Sequence, residues 1–418
     1  MCYSVARIQA ICWWEVAETI FAGVDWADDH HDCVVLDSNA RLLDQFRVRH
    51  TASGLVEMTD RLKSTAGGGQ VGCILEVRHG ILVNTLLEAG FDVYPVNPKT
   101  VNRHRVASGA KTDAIDAFIL ARHGLHEIDR LRRLEPDSAV VKELKILTRD
   151  QASLIQEQTR LVNQLTACLK EYYPVALQFF GSLAAPIALA FLKAFPTPEQ
   201  VKAADQQQLS EFLRVLRHPH AALAAQKIFQ LAQQPQLTAD PITTRAKARM
   251  MLAKVSQLAP LLETISSYDK EQERLFLSHS DSVIFRSIPG AGKRLAPRLL
   301  AEWGDDRSRY ACCESVAALA GTSPVPFQSG HYKRAHKRYA CVRQFRNALY
   351  HLAWQSTLHE PWAKEYYLRK RAEGKSHSVA LRALSNVWVR VIHKMWMTRT
   401  CYCRETFLNS RMQHKRAA

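Results

Sequence analysis

The sequence predicts an α/β domain at the front of the chain, a long-helix region in the middle and a mainly helical, strongly basic domain at the end. Three observations lead there. Residues 20 to 97 alternate short apolar strands with helical stretches. Val140 to Tyr173 carries an apolar seam at spacings of three and four. From Phe327 to Ala418 there are 19 Lys/Arg against 4 Asp/Glu, so nearly all of the chain's +16 formal charge sits in its last stretch. A length of 418 residues suits two or three domains. With 47% hydrophobic and 23% charged residues, the composition is that of a globular protein; a mostly disordered chain, a collagen-like chain and a coiled-coil rod are excluded. The positive excess favours a polyanionic partner, either nucleic acid or an acidic membrane surface.

No stretch reaches the ~18 apolar residues that span a membrane. Met1 to Ile20 carries Trp13-Trp14 but only one basic residue, Arg7, and Glu15 and Glu18 interrupt it. It fits a signal peptide poorly and reads as an upstream translation extension or a loosely packed helix. Residues 1–19 are therefore set apart from the fold. The 10 cysteines include only two close sets, Cys312-Cys313 and Cys401-Tyr402-Cys403, neither with a partner pair at zinc-ligand spacing. Reduced cysteines in a cytoplasm are expected.

Residues 20–135 form the first domain. Ile20-Phe21-Ala22-Gly23-Val24 is a strand ending at Asp25, His31 to Asp37 a second and Arg41 to His50 a third. The short turn Asp37-Ser38-Asn39-Ala40 makes a hairpin of the last two. A helix runs from Ser53, as N-cap, to about Ala66 and ends at Gly67-Gly68-Gly69. Gln70 to Val77 is a buried strand, Ile81 to Ala89 a helix ended by Gly90, and Asp92 to Val96 a fifth strand stopped by Asn97-Pro98. Three antiparallel strands followed by helix, strand, helix, strand is the order of an RNase H-like sheet.

Four carboxylates fall at informative places. Asp25 ends the first strand and Glu76 the fourth. Asp113 and Asp116 share one face of a helix expected over Thr112 to His123. Acidic side chains at strand ends converge on the rim of an open sheet. Clustered carboxylates repel, and hard oxygen donors of this kind suit Mg²⁺ or Mn²⁺. Two such ions about 4 Å apart serve phosphoryl transfer. Each residue alone has an ordinary explanation: Asp25 can cap a turn, Glu76 can be an exposed strand end, Asp113 can N-cap its helix and Asp116 can be solvated in the first turn. It is the four together, on this element order, that point to a metal site. Asp28, Asp29, His30, His31 and Asp32 read as a solvated turn, with a role near the metals as the lesser alternative.

The set Gly23-Val24-Asp25, Leu75-Glu76, Val96-Asn97-Pro98 and Lys111-Thr112-Asp113-Ala114-Ile115-Asp116-Ala117 resembles the DEDD transposases of the insertion sequence 110 family. The resemblance implies a RuvC-like N-terminal domain with Asp25, Glu76, Asp113 and Asp116 as catalytic metal ligands.

In the middle region, residues 136–280, Leu144, Leu147, Gln151, Leu154, Gln158, Leu161 and Leu165 form a heptad seam. A second runs through Leu258, Leu261, Ile265, Tyr268, Gln272 and Leu275. The two can pair as an antiparallel hairpin, pair with another protomer, or be ordinary bundle helices. Between them, Pro174 to Pro260 reads as several short helices.

The last domain, residues 281–400, opens with Ser287-Ile288-Pro289-Gly290-Ala291-Gly292, then Ala296, Leu299 and Leu300. This matches a helix-hairpin-helix, whose turn at Gly290 and Gly292, beside Lys293, can hold a phosphate. The plainer reading is a tight turn between packed helices. Further on, Gln328-Ser329-Gly330 precedes Lys333, Arg334, Lys337, Arg338, Arg343 and Arg346. A hydroxyl at the edge of a basic run can attack a phosphodiester while the cations stabilise the developing charge. Ser-Gly is also an ordinary turn pair. The stretch from Ile288-Pro289-Gly290 through Gln328-Ser329-Gly330 to Arg346-Asn347-Ala348-Leu349 resembles the C-terminal domain of the same family. That implies Ser329 as the nucleophile, linked covalently to DNA, with Ser323 as runner-up. Many members carry a Gly-Asn pair where this chain has Tyr339-Ala340-Cys341-Val342-Arg343, a departure that bears on contacts downstream of the serine. Trp354 to Met397 interleaves aromatic and basic residues, most of the rings being expected in the core. Residues 401–418 read as a basic tail.

The resemblance, covering residues 20 to 400, implies a DNA transposase or recombinase that acts on donor and target DNA. It further implies a structured guide RNA, assembly as a homodimer or homotetramer, and a bacterial cytoplasmic, nucleoid-associated location. Two alternatives remain: a RuvC-like nuclease using metal-activated water, and an inactive transposase-derived nucleic-acid-binding protein.

Overall fold

A computed structural model of the chain describes residues 19–78, 80–97 and 112–417. The extension up to Glu18, Pro98 and Lys111 lie outside the described residues. The chain divides into two compact units, Met1–Pro136 and Asp137–Ala418.

The first unit is a five-stranded sheet of order β3-β2-β1-β4-β5. Its strands are β1 (Ile20–Trp26), β2 (His30–Leu36), β3 (Leu42–Arg49), β4 (Val71–Leu75) and β5 (Asp92–Pro95). β1 to β3 pair antiparallel, while β4 lies parallel to β1 and β5 parallel to β4. Strand alternation sorts side chains between two faces. One face presents Ile20, Ala22, Val24, Cys33 and Val35 to Leu55, Met58 and Leu62 of α1 (Ala52–Ala66) and to Leu82, Val83 and Leu86 of α2 (Ile81–Glu88). The other meets α3 (Asp113–Glu127), where Phe21 and Ile74 pack with Ile119 and Leu120, and Val34 and Leu36 with Ala117 and Ala121.

Small residues let α3 lie almost on the sheet backbone. A Cβ on Gly23 would stand 2.0 Å from the Ala117 carbonyl oxygen and 2.3 Å from the Ala121 nitrogen. Further along, a Cβ on Gly124 would stand 2.3 Å from Ile74 Cδ1. This explains one departure from the sequence expectation. α3 does not stop at His123 but continues to Glu127, because Gly124 is a packing glycine and not a stop. Its N-cap is Thr112, which accepts from the Ile115 N–H, and Asp113 and Asp116 lie in its first turn. The α1 cap is likewise Thr51 and not Ser53: the Thr51 hydroxyl accepts from Gly54 N–H at 3.2 Å.

In the second unit, α4 (Ala139–Tyr172) and α9 (Pro241–Ser278) pack side by side. They run antiparallel. Gln272 Nε2 donates to the Leu147 carbonyl at 3.1 Å, Gln151 Nε2 to Asp269 Oδ1 at 2.7 Å, and Lys247 pairs with Glu171. α9 runs straight through Pro260, which the sequence placed in the short-helix region. That proline is on an exposed side of α9, where losing one backbone donor is least costly. Short helices α5 (Pro186–Ala194), α6 (Pro198–Ala203), α7 (Gln206–Val215) and α8 (Ala221–Gln233) cap the far end of the pair around Phe179, Phe191 and Leu209.

The near end holds the C-terminal helices: α10 (Ser282–Arg286), α11 (Gly292–Trp303), α12 (Cys313–Leu319), α13 (Arg343–His359), α14 (Pro361–Ala372), α15 (His377–Thr398) and α16 (Arg404–Ala417). Leu144, Leu275 and Phe276 share their core with Trp303, Phe345, Trp388 and Trp396. Most of the C-terminal rings are core, as expected, although Trp354 stays 41% exposed. One hairpin, β6 (Val325–Ser329) with β7 (Tyr332–His336), stands apart from this packing. Among the described residues no helix is long and apolar enough to cross a membrane.

Candidate active site

The sheet brings acidic residues together by alternation. Asp25 follows Phe21 and Gly23 on the α3 side of β1, and Asp32 lies directly opposite it on β2. Glu76 follows Leu75 just past the end of β4. The close approach at Gly23 and Ala117 sets the first turn of α3, with Asp113 and Asp116, over the end of β1. The electrostatics report the convergence. Asp25's carboxyl is pushed up to about 6, first by burial and then by the charges of Asp116, Asp113, Glu76 and Asp32. An ionised Asp25 is disfavoured because neighbouring anions surround a half-buried site. A cation held by the same oxygens removes that penalty. The donor chemistry and the mutual repulsion fit a hard divalent ion such as Mg²⁺ or Mn²⁺.

Three residues beyond the four carboxylates, His30, Asp32 and Arg47, are part of the site's surroundings. His30 Nε2 lies 3.3 Å from Asp113 Oδ2 and 3.6 Å from Asp32 Oδ2. His30, Asp32 and Asp113 offer ligand atoms all within 4.8 Å of one another. Arg47, opposite Asp32 on β3, donates to it from Nε and from NH2, the latter at 2.8 Å, and lies 3.4 Å from Asp113 Oδ2. The reading of residues 28 to 32 as a solvated turn is therefore corrected. Asp28 and Asp29 are exposed, but His30 to Asp32 belong to β2, with His31 0% and Asp32 7% exposed. His31 accepts or donates to His50 at 2.8 Å, and burial holds its pKa down at about 4. His30 is pushed the other way, up, by its hydrogen bonds to Asp29 and Asp113. The signal was in the sequence: the alternation of Val34 and Leu36 extends back through Asp32 and His30. The charged residues masked it.

Ser329 lies in the second unit, at the end of β6. The hairpin turns there through Gly330, whose φ of +55° is left-handed, and pairs Ser329 with Tyr332. Every β6 residue is exposed. Ser323 is in a different situation. Its Oγ is buried with no hydrogen-bond partner, and its N–H donates to the Ala317 carbonyl of α12.

The basic residues spread over several environments. Arg334 and Lys337 are exposed on or just after β7, with Lys337 over the Tyr339 ring at 5.4 Å. Lys333 is in β7. Arg338 is half-buried with an unpartnered Nε, Arg343 is exposed at the start of α13, and Arg346 donates to Cys341 Sγ. In the glycine turn, Gly290 (φ +80°) is packed: a Cβ there would meet Gln355 and His359 of α13 at 3.0 Å. Gly292 (φ +56°) faces open space. Lys293 is exposed and pairs with Glu273 at 3.1 Å. Only the Gly292 side of this turn is open to a ligand.

Two family models match the chain in order. One for DEDD transposases, described as "Transposase", covers residues 22–174 and thus all four acidic positions. The other, described as "Transposase IS116/IS110/IS902 family", covers residues 282–368 and thus Ser329. A protein of Streptomyces coelicolor, named as the candidate transposase of the mini-circle IS117, is 30% identical over 399 residues, 92% of this chain and 96% of its own. An uncharacterized 42 kDa protein of insertion element IS900 from Mycobacterium paratuberculosis is 28% identical over 93% of this chain and 98% of its own. An uncharacterized 44.8 kDa protein of insertion element IS116 from Streptomyces clavuligerus is 28% identical over 90% and 94%. With both family regions present in order and a relative matched over nearly its whole length, the chain belongs to the IS116/IS110/IS902 family of transposases.

Proposed function

We propose that the chain is a DNA-cutting and rejoining recombinase in which a RuvC-like acidic site and a serine hydroxyl act on the same DNA. The observation that carries this is Asp25, whose carboxyl feels Asp116, Asp113 and Glu76 at once. Four carboxylates from three elements, close enough that their charges raise the pKa of one of them, support the reading of a cation site. Asp25, Glu76, Asp113 and Asp116 would hold Mg²⁺ or Mn²⁺. Held there, such cations would supply charge compensation to the scissile phosphate and its leaving oxygen.

The chain's own residues do the rest. Ser329 Oγ attacks phosphorus, a serine O–P bond forms and one bridging P–O bond breaks. The hydroxyl proton passes to a base, and the departing strand oxygen takes up a proton. The open Gly292 side of a helix-hairpin-helix turn, with Lys293, holds backbone phosphate, as do Lys333, Arg334, Lys337, Arg338, Arg343 and Arg346. The acidic set and Ser329 lie on separate units of the chain; Ser329 is supplied to the phosphodiester by the same chain or by another protomer of a homodimer or homotetramer. A structured guide RNA chooses the donor and target, and the reaction runs on bacterial DNA in the cytoplasm. Residues 20–135, 136–280 and 281–400 are the catalytic, helical and transposase regions of this reading.

The test is a strand-transfer assay with the full chain, Mg²⁺, RNA transcribed from beside the gene and labelled DNA, stopped in denaturant. A protein–DNA adduct lost in both Ser329→Ala and Asp25→Ala supports the proposal. Nicked DNA that persists in Ser329→Ala means hydrolysis by water and overturns the serine role.

A further inference from the structure

The β6–β7 hairpin has no core beneath it, yet it carries rings. Register puts Val325 opposite His336, Phe327 opposite Arg334, and Ser329 opposite Tyr332. Residues paired across an antiparallel ladder share a face. Phe327, Ser329, Tyr332, Arg334 and His336 therefore occupy one side of the ribbon. The rings on that side touch: Phe327 lies 6.2 Å from Tyr332 and 5.7 Å from His336, both edge to face. Arg334 NH1 donates to the Tyr332 hydroxyl at 3.3 Å. Even so, Phe327 and Tyr332 remain 51% and 52% exposed. Their mutual contact orders them without burying them. Two adjacent, pre-oriented, half-exposed rings are a surface made for a flat apolar partner.

The charge around the hairpin says what that partner is. Between Glu314 and Glu360 the sequence contains no acidic residue, and it contains six Lys/Arg. A protein partner would have to be strongly acidic to sit there. A nucleic acid offers both features together, bases with flat faces and phosphates with negative charge.

We propose that this side of the hairpin is a stacking platform for an unpaired nucleic-acid strand. Phe327 and Tyr332 stack on bases, while Arg334 and Lys337 hold the neighbouring phosphates. Ser329, on the same side of the ribbon, is thereby presented to the backbone beside an unstacked base. Stacking on aromatic side chains suits single strands of any sequence because every base has a π-face. Only the last step rests on the reading of Ser329 as a nucleophile; the stacking does not.

The experiment uses the full chain with oligonucleotides carrying 2-aminopurine, as a single strand, in an unpaired bubble and in a duplex. Fluorescence and anisotropy are read at one fixed salt concentration. Wild type is expected to change the 2-aminopurine emission in the bubble and single strand. Phe327→Ala and Tyr332→Ala should lose that change and bind the bubble about 5- to 100-fold more weakly. Duplex affinity should stay within about twofold, because the phosphate contacts remain. Tyr332→Phe should behave as wild type. The hairpin has no core, so melting temperatures of the variants should match wild type.

Equal loss of bubble and duplex binding would mean a general electrostatic surface and overturn the platform. So would unchanged bubble binding in both alanine variants. A change in oligomeric state of Phe327→Ala without nucleic acid would assign the rings to a second copy of the chain instead. Failure of the nucleophile reading looks different. If Ser329→Ala keeps the emission change and keeps cleaving, the serine role falls and the platform stands. If Phe327→Ala and Tyr332→Ala lose neither emission change nor adduct, the platform falls and the serine role stands.

Discussion

Asp25 gives the sharpest test of the acidic site because its effect on stability has an unusual sign. Asp25→Asn keeps the size of the side chain and removes the charge. In the folded protein the carboxyl is pushed from 3.8 up to about 6, so folding favours the protonated form. The displacement is worth at most about 3 kcal/mol, and solvent screening at a half-exposed site reduces it to about 1–2 kcal/mol. The carboxylate therefore destabilises the metal-free fold above pH 6. This contribution is absent below the unfolded value of 3.8 and complete once the pH exceeds about 6. In chelator at pH 8, Asp25→Asn should melt about 3–10 °C higher than wild type. The gap should close as the pH falls toward 4. Adding Mg²⁺ or Mn²⁺ should raise the wild type by mass action and leave the variant behind, so the order narrows or inverts. Differential scanning calorimetry of both proteins, with and without the metal, reads all of this. An Asp25→Asn protein that melts at or below wild type in chelator at pH 8 would refute the argument that these carboxylates converge.

Other substitutions probe the frame around the site. Gly23→Ala should cost about 3 kcal/mol or more and lower the urea midpoint, since its Cβ would stand 2.0 Å from the Ala117 carbonyl; a neutral result would mean that α3 does not lie against β1 as described. Asp281→Ala should cost about 3–5 kcal/mol in urea unfolding, because it strips partners from Arg307 NH2 at 2.7 Å and from the buried Trp396 Nε1 at 3.1 Å. Gln272→Leu should stabilise by about 1 kcal/mol: it removes a buried Gln272 Oε1 that has no partner, and the Leu147 carbonyl that it contacts belongs to a helix. Loss of stability in Gln272→Leu would show that the seam depends on that side-chain bond.

Much of the first unit was legible residue by residue. The strands and helices fall within a few positions of where alternation and Gly stops place them, because each is short, half-buried and bounded by turn chemistry. The long helices were legible from their seams. What the seams left open was their partner. Two apolar stripes carry no statement about whether they meet each other or a second chain, and only the packed Gln151–Asp269 and Gln272–Leu147 contacts decide it. The hairpin at Ser329 was invisible as strands because Pro324, Pro326 and Gly330 break the pattern and no apolar face faces a core.

By itself, the sequence determined the candidate residues: four carboxylates at element ends, one serine before a basic run, and the family that carries them. Residue type and spacing are enough for that, since they fix which groups each strand end or first helical turn can offer. Tertiary structure alone decided their company. Arg47, Asp32 and His30 reach Asp113 across 66, 81 and 83 residues of chain, and no local pattern encodes a contact at that separation. It depends on strand register and on how closely α3 can approach the sheet, which Gly23 sets by having no side chain.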